Sequence, residues 1–161
     1  MEKMIFHKGK KGRCLVGLIL LFLVSLSFKS VPSFSADPVV VIVSLGNPIR
    51  GLTKEWLQGV YLGENKKWDD GSPITPLNLR ETDPASTLFR EHILKKTAAD
   101  LKVFWIQQIF SQKGTPPIIL KDEREVKDFV SSQKGAIGYI RSSALDQTVK
   151  AVSVEGKAFI Q

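Results

Sequence analysis

Five consecutive β-branched residues, Val39-Val40-Val41-Ile42-Val43, constrain the fold most. An unbroken run of this kind reads as a strand buried on both faces, as found in layered α/β domains. Beyond it the chain alternates between helical and strand patterns. Leu45-Gly46-Asn47-Pro48 turns the chain, and Thr53 is placed to cap a short helix carrying Trp56, Leu57, Val60 and Tyr61 on one face. Gly63 ends that helix. A polar segment from Glu64 to Gly71 leads to Pro73–Leu79, which alternates apolar and polar residues. Two prolines in that stretch predict an edge strand or an irregular path.

Asp83-Pro84 is a helix start, an N-cap acceptor followed by proline at the first helical position. Leu88, Phe89, His92 and Ile93 then recur at helical spacing. A further helix over about 98–110 carries Leu101, Phe104, Trp105 and Ile109 on one stripe, its aromatics expected to pack in the core or against another lobe, and Gly114-Thr115-Pro116-Pro117 is a loop. Asp122 with Glu125 three residues on forms a capping-box pattern before Val126, Phe129 and Val130. Gly135–Ile140 reads as a glycine-rich start to a strand, and Thr148–Val154 as a last strand. No internal repeat or interdomain linker interrupts the series, so 36–161 is expected to form one α/β domain.

The first 35 residues have a different character. Lys3, Lys8, Lys10, Lys11, Arg13 and Lys29 fall there, opposed only by Glu2. The chain totals 23 basic and 16 acidic residues, so the remainder keeps 17 and 15. The net charge of +7 therefore belongs mainly to the leader, and a nucleic-acid partner is not expected. Leu15–Phe28 is an apolar run of fourteen residues, short of the ~20 needed to span a bilayer but suited to a signal peptide. Ser33-Phe34-Ser35 predicts cleavage before Ala36, with an uncleaved N-terminal anchor as the alternative. Export to the periplasm is expected, with no membrane span after cleavage. The single cysteine, Cys14, precedes the apolar run, so the mature chain would carry no disulfide and no thiol chemistry.

Catalytic groups are sparse. The mature chain has one histidine, His92, on an apolar helical stripe, and Asp69-Asp70-Gly71 is a turn signal before it is a metal site. Neither an enzyme nor a metal or cofactor is expected.

Several motifs taken in order say more. Thr53–Leu57 is followed by Val60-Tyr61-Leu62-Gly63, then Lys66-Lys67-Trp68-Asp69-Asp70-Gly71, then Leu79-Arg80 with Asp83–Phe89, and finally Gly135-Ala136-Ile137-Gly138-Tyr139. Over residues 39–142 this series resembles the substrate-binding proteins of ABC phosphate transporters. The resemblance implies a single lobe of a type 2 periplasmic-binding-protein-like fold, a mixed sheet flanked by helices. Members of that family close two lobes around phosphate, whereas the mature chain is about half their size and lacks most of the first lobe.

The resemblance also implies an oxyanion site at Arg80, Ser86 and Thr87, with Tyr139 at the cleft edge. The anion would be phosphate or a relative of it, and an ABC permease or a second copy of the chain would complete the cleft. The local loop departs from the family pattern R-x-D-G-S-G-T. Arg80 sits one residue further out, and Pro84 offers no amide hydrogen. Glu81 and Asp83 would repel an anion unless turned away. Two alternatives therefore stand: Asp83 acts only as a helix cap with Arg80 solvated, or the segment contacts an anion. At the level of function, the rival to a binding protein is a periplasmic interaction module that keeps the fold as a scaffold.

Overall fold

The computed structural model describes residues 37–161. The leader and its cleavage site lie outside them. Six strands form one mixed sheet: β1 (Val39–Ser44), β2 (Gly51–Leu52), β3 (Thr75–Leu79), β4 (Ile118–Leu120), β5 (Ala136–Arg141) and β6 (Val149–Val154). Their order across the sheet is β2-β6-β1-β5-β3-β4. The β-branched run is β1, and all six of its residues are buried. It lies between β5 and β6, antiparallel to both. β3 runs parallel to both β5 and β4.

Four helices complete the fold: α1 (Lys54–Tyr61), α2 (Pro84–Phe89), α3 (Ala98–Phe110) and α4 (Glu123–Ser132). Their starts follow the expected cap chemistry. Thr53 accepts from the Trp56 amide, Asp83 from Ala85 and Asp122 from Glu125, each relieving an amide with no partner inside the helix. Past Phe89 the helix continues as a π-helical turn, Arg90–Leu94, which ends at Lys95 in the left-handed region.

Adjacent residues of β5 show how the layers are assembled. Successive strand residues face opposite sides. A Cβ placed on Gly138 would lie 2.6 Å from Val126 Cγ1 of α4, so the missing side chain is what lets α4 seat on that face. On the other face the Tyr139 ring packs against Phe89 of α2, and Tyr61 of α1 packs on Phe89 at 4.6 Å. With both faces covered, residues 37–161 carry their own core. Burying each large apolar side chain contributes about 1.5–3 kcal/mol.

Two motifs that are distant in sequence meet at one end of the sheet. The Trp68 indole N–H donates to the Gly135 carbonyl at 3.1 Å, and the Thr75 amide donates to the same oxygen at 3.0 Å. Asp70 accepts from both the amide and the hydroxyl of Ser72, so Asp69-Asp70-Gly71 forms the turn its composition suggests.

Three features differ from expectation. β3 is not an edge strand. Its pairing with β5 ends at Pro76 and its pairing with β4 begins at Leu77, so the proline sits where the strand has a neighbour on one side only. β4 and β2, too short to carry a periodic signal, extend the sheet beyond the strands foreseen. α3 has no fully buried residue: Leu101, Phe104 and Trp105 are half-buried, and Ile109 is exposed along with Val103, Ile106 and Phe110.

Candidate oxyanion site

β3, β4 and β5 end on the same side of the sheet, the side on which open α/β sheets usually bind ligands. Beyond Leu79 the chain makes a tight turn in which the Asp83 amide donates to the Arg80 carbonyl at 2.9 Å. Asp83 then caps α2, its carboxylate accepting from the Ala85 amide at 2.8 Å. Ser86 follows on the buried side of the helix, 4% exposed. Thr87 is half-buried, and its hydroxyl accepts from the Arg90 guanidinium at 3.4 Å.

Tyr139 supports this segment from the sheet. Its hydroxyl donates to the Asn78 side-chain carbonyl and accepts from the Leu79 amide at 3.4 Å. Burial pushes its pKa up to about 12, against the opposing effect of the adjacent Ser86 hydroxyl and the Leu79 amide. Tyr61, whose hydroxyl donates to the Leu77 carbonyl at 2.9 Å, is also raised well above the ordinary phenol value by burial. Both phenols are therefore neutral, and Tyr139 holds its proton toward Asn78.

Ser86, Asn78 and Arg90 together line a cavity of about 330 Å³. Glu81 and Lys102 also contribute to its lining, and the remaining walls are largely apolar, among them Leu79, Phe89, Leu101, Trp105 and Ile106. Among the described residues, no carboxylate lies within 4.0 Å of the Arg90 guanidinium. Arg141 differs: it binds Glu123 through two nitrogens, at 2.9 and 3.0 Å, and this pairing raises its pKa.

The structure thus sets Tyr139 beside Ser86 and Thr87 beside Arg90, and of the expected residues Ser86 alone lines the cavity. Arg80 is exposed on the turn after β3 and does not line the cavity. Arg90 takes a place that sequence reasoning did not assign to it. The signal was present, because Arg90 lies one helical turn beyond Ser86 and Thr87 and so shares their face. His92 is half-buried in the π-helical turn. Among the described residues, no group of three metal-binding side chains occurs and no helix is long and apolar enough to cross a membrane.

A mixed sheet covered by helices on both faces, with a cavity at its strand ends, makes a layered α/β domain. A family model described as a PBP superfamily domain matches residues 33–160, and the chain belongs to that family. Solved structures share its fold. An ABC-type phosphate transport receptor from Vibrio cholerae superposes with a TM-score of 0.60 at 20% identity, over 74% of this chain and 46% of that one. A protein from Clostridium perfringens, described as a phosphate ABC transporter substrate-binding protein and containing bound phosphate, gives 0.63 at 24%, over 75% and 46%. PstS from Borrelia burgdorferi gives 0.58 at 20%, over 75% and 48%. The chain spans less than half the length of each of these proteins. No curated protein matches its sequence.

Proposed function

We propose that the chain is an exported solute-binding domain that captures phosphate or a related oxyanion, with no catalytic step. The observation that carries this reading is Ser86, a buried hydroxyl lining a cavity beside the Arg90 guanidinium. A hydroxyl and a guanidinium are complementary to an oxyanion, and a charge-assisted bond to a guanidinium is about twice as strong as a neutral one. Thr87 orients Arg90, Tyr139 fixes the floor under Ser86, and Arg80 approaches from the exposed side. Asp83 spends its carboxylate on the α2 cap, and Glu81 is the main opposing charge. The leader directs export to the periplasm. An ABC permease or a second copy of the chain would close the open half of the cleft.

A second reading, a scaffold that binds protein and not anions, is favoured by one observation: the apolar residues left exposed on α3 and β4, such as Phe110 and Ile119. Thermal unfolding of residues 36–161 in phosphate, against sulfate and chloride at matched ionic strength, separates the two. At about 100 times its dissociation constant a ligand adds roughly 2.7 kcal/mol, a shift of several degrees in a domain this size. A phosphate-selective shift reduced by Arg80→Ala and removed by Arg90→Ala supports capture. Indifference to every anion favours the scaffold.

A further inference from the structure

The cavity's chemistry is divided. Ser86, Asn78 and Arg90 give it polar walls, with Asn78 held by Tyr139 and Arg90 by Thr87, while Leu101, Trp105 and Ile106 of α3 supply an apolar wall. Inorganic phosphate gains nothing from such a wall. An ion bearing two charges must exchange its hydration for polar partners on all sides, and burying it against hydrocarbon is costly. The volume, about 330 Å³, lies in the range of small-molecule sites, about 300–1,000 Å³.

The wall is also held in place. A Cβ on Gly63 would lie 3.2 Å from the Trp105 ring and one on Gly114 3.5 Å from it, so the indole rests on two loops that carry no side chain there. Phe104 meets Trp105 edge-on at 5.1 Å. The Trp105 ring is therefore braced by these loops, which lowers the cost of ordering it against a ligand.

We infer that the solute is an organic oxyanion, a compact anionic head on an apolar body, whose head meets Ser86 and Arg90 and whose body lies against Leu101, Trp105 and Ile106. This inference rests on the oxyanion reading above and adds the apolar body to it. A charged head alone would leave the wall exposed to water, and a neutral apolar molecule would strip water from the half-buried Arg90 guanidinium while leaving it only the long bond to Thr87.

Calorimetric titration of the protein, with and without residues 1–35, tests this with four probes: phosphate, phenyl phosphate, benzoate and benzyl alcohol. Phenyl phosphate is expected to bind on the order of tenfold or more tighter than phosphate, because one ring removes enough apolar area from water for at least that factor. Arg90→Gln should abolish binding of every anionic probe. Ile106→Ser, an uncharged change at a position already 45% exposed, should erase most of the preference for phenyl phosphate over phosphate. Equal affinities for phosphate and phenyl phosphate would overturn the apolar body and leave the oxyanion reading standing. Benzyl alcohol binding as tightly as phenyl phosphate would overturn the anionic head. Failure of all four probes, with a dimer in sedimentation that Ile106→Glu dissociates, would make the wall an interface between copies and overturn both readings.

Discussion

The rings of Phe89 and Tyr139 stack with centroids 4.1 Å apart and planes within 6° of parallel. One ring belongs to α2 and the other to β5, so this contact fixes the helix bearing Ser86 and Arg90 on the sheet that supplies Tyr139. Offset-stacked aromatic pairs add about 0.5–1.5 kcal/mol beyond their buried area. The site is thus built on the core itself, and changes to its supports should register as both stability and binding.

Gly138→Ala should destabilise the domain by about 1–3 kcal/mol, the usual range for overpacking a core. The new Cβ would stand 2.6 Å from Val126 Cγ1, and Val126 is fully buried with little room to yield. Urea unfolding measures the cost. A change within about 0.5 kcal/mol, as at an ordinary surface site, would mean that α4 does not seat as described.

The protein has two tyrosines, and burial raises the pKa of each. A phenol that is harder to ionise when folded contributes stability that is complete below the unfolded pKa near 10 and is lost as pH rises toward the folded value, about 12 for Tyr139. Ultraviolet titration of the native protein should therefore show no phenolate step near pH 10. The step should appear there in denaturant. A full step near pH 10 without unfolding would place both hydroxyls in water.

Two carboxylates on α4 make opposite predictions. The Glu123 side chain is 12% exposed and Arg141's is 42%, and Glu123 accepts from the Arg141 amide at 2.6 Å as well as from two guanidinium nitrogens, so Glu123→Ala should cost about 1–3 kcal/mol, the loss of charge-assisted bonds to a partly screened partner. Asp128 meets Arg124 at 3.9 Å with both side chains mostly exposed, and Asp128→Ala should cost no more than about 0.5 kcal/mol. Comparable losses from the two variants would contradict the burial assigned to Glu123.

Asp83→Asn should preserve the α2 cap, because an asparagine oxygen accepts from the Ala85 amide as well as a carboxylate does. It also removes a negative charge near the proposed anion site. Phosphate affinity should rise several-fold with stability changed little, whereas Asp83→Ala should lose about 1 kcal/mol of stability. Unchanged affinity in the asparagine variant would place the anion away from α2.

Elements with a strong local signal were legible in the sequence. The β-branched run of β1, the capped starts of α1, α2 and α4, and the strands β5 and β6 all lie where composition and spacing put them. β4 was hidden because three residues after two prolines carry no period, and its partner β3 lies more than 35 residues upstream. α3 was left open between core and lobe packing for a different reason. Its pattern is apolar and helical, but whether an apolar face is covered depends on what packs against it, and the helix has no fully buried residue. For the candidate site, the motif order pointed to Arg80, Ser86, Thr87 and Tyr139, of which Ser86 lines the cavity and Arg80 does not. Arg90 required knowing that the helix continues unbroken past Phe89 into the π-helical turn, which carries the guanidinium back to Thr87.

An amide-resolved NMR titration of residues 36–161 with inorganic phosphate addresses oxyanion capture most directly. The predicted result is a saturable set of shifts centred on Ser86, Thr87 and Arg90, extending to Arg80 and Leu79 and absent in Arg90→Ala. Shifts centred elsewhere, such as the cavity of about 200 Å³ beside Asn47, Trp68 and Lys134, would contradict it, as would a spectrum unmoved by phosphate.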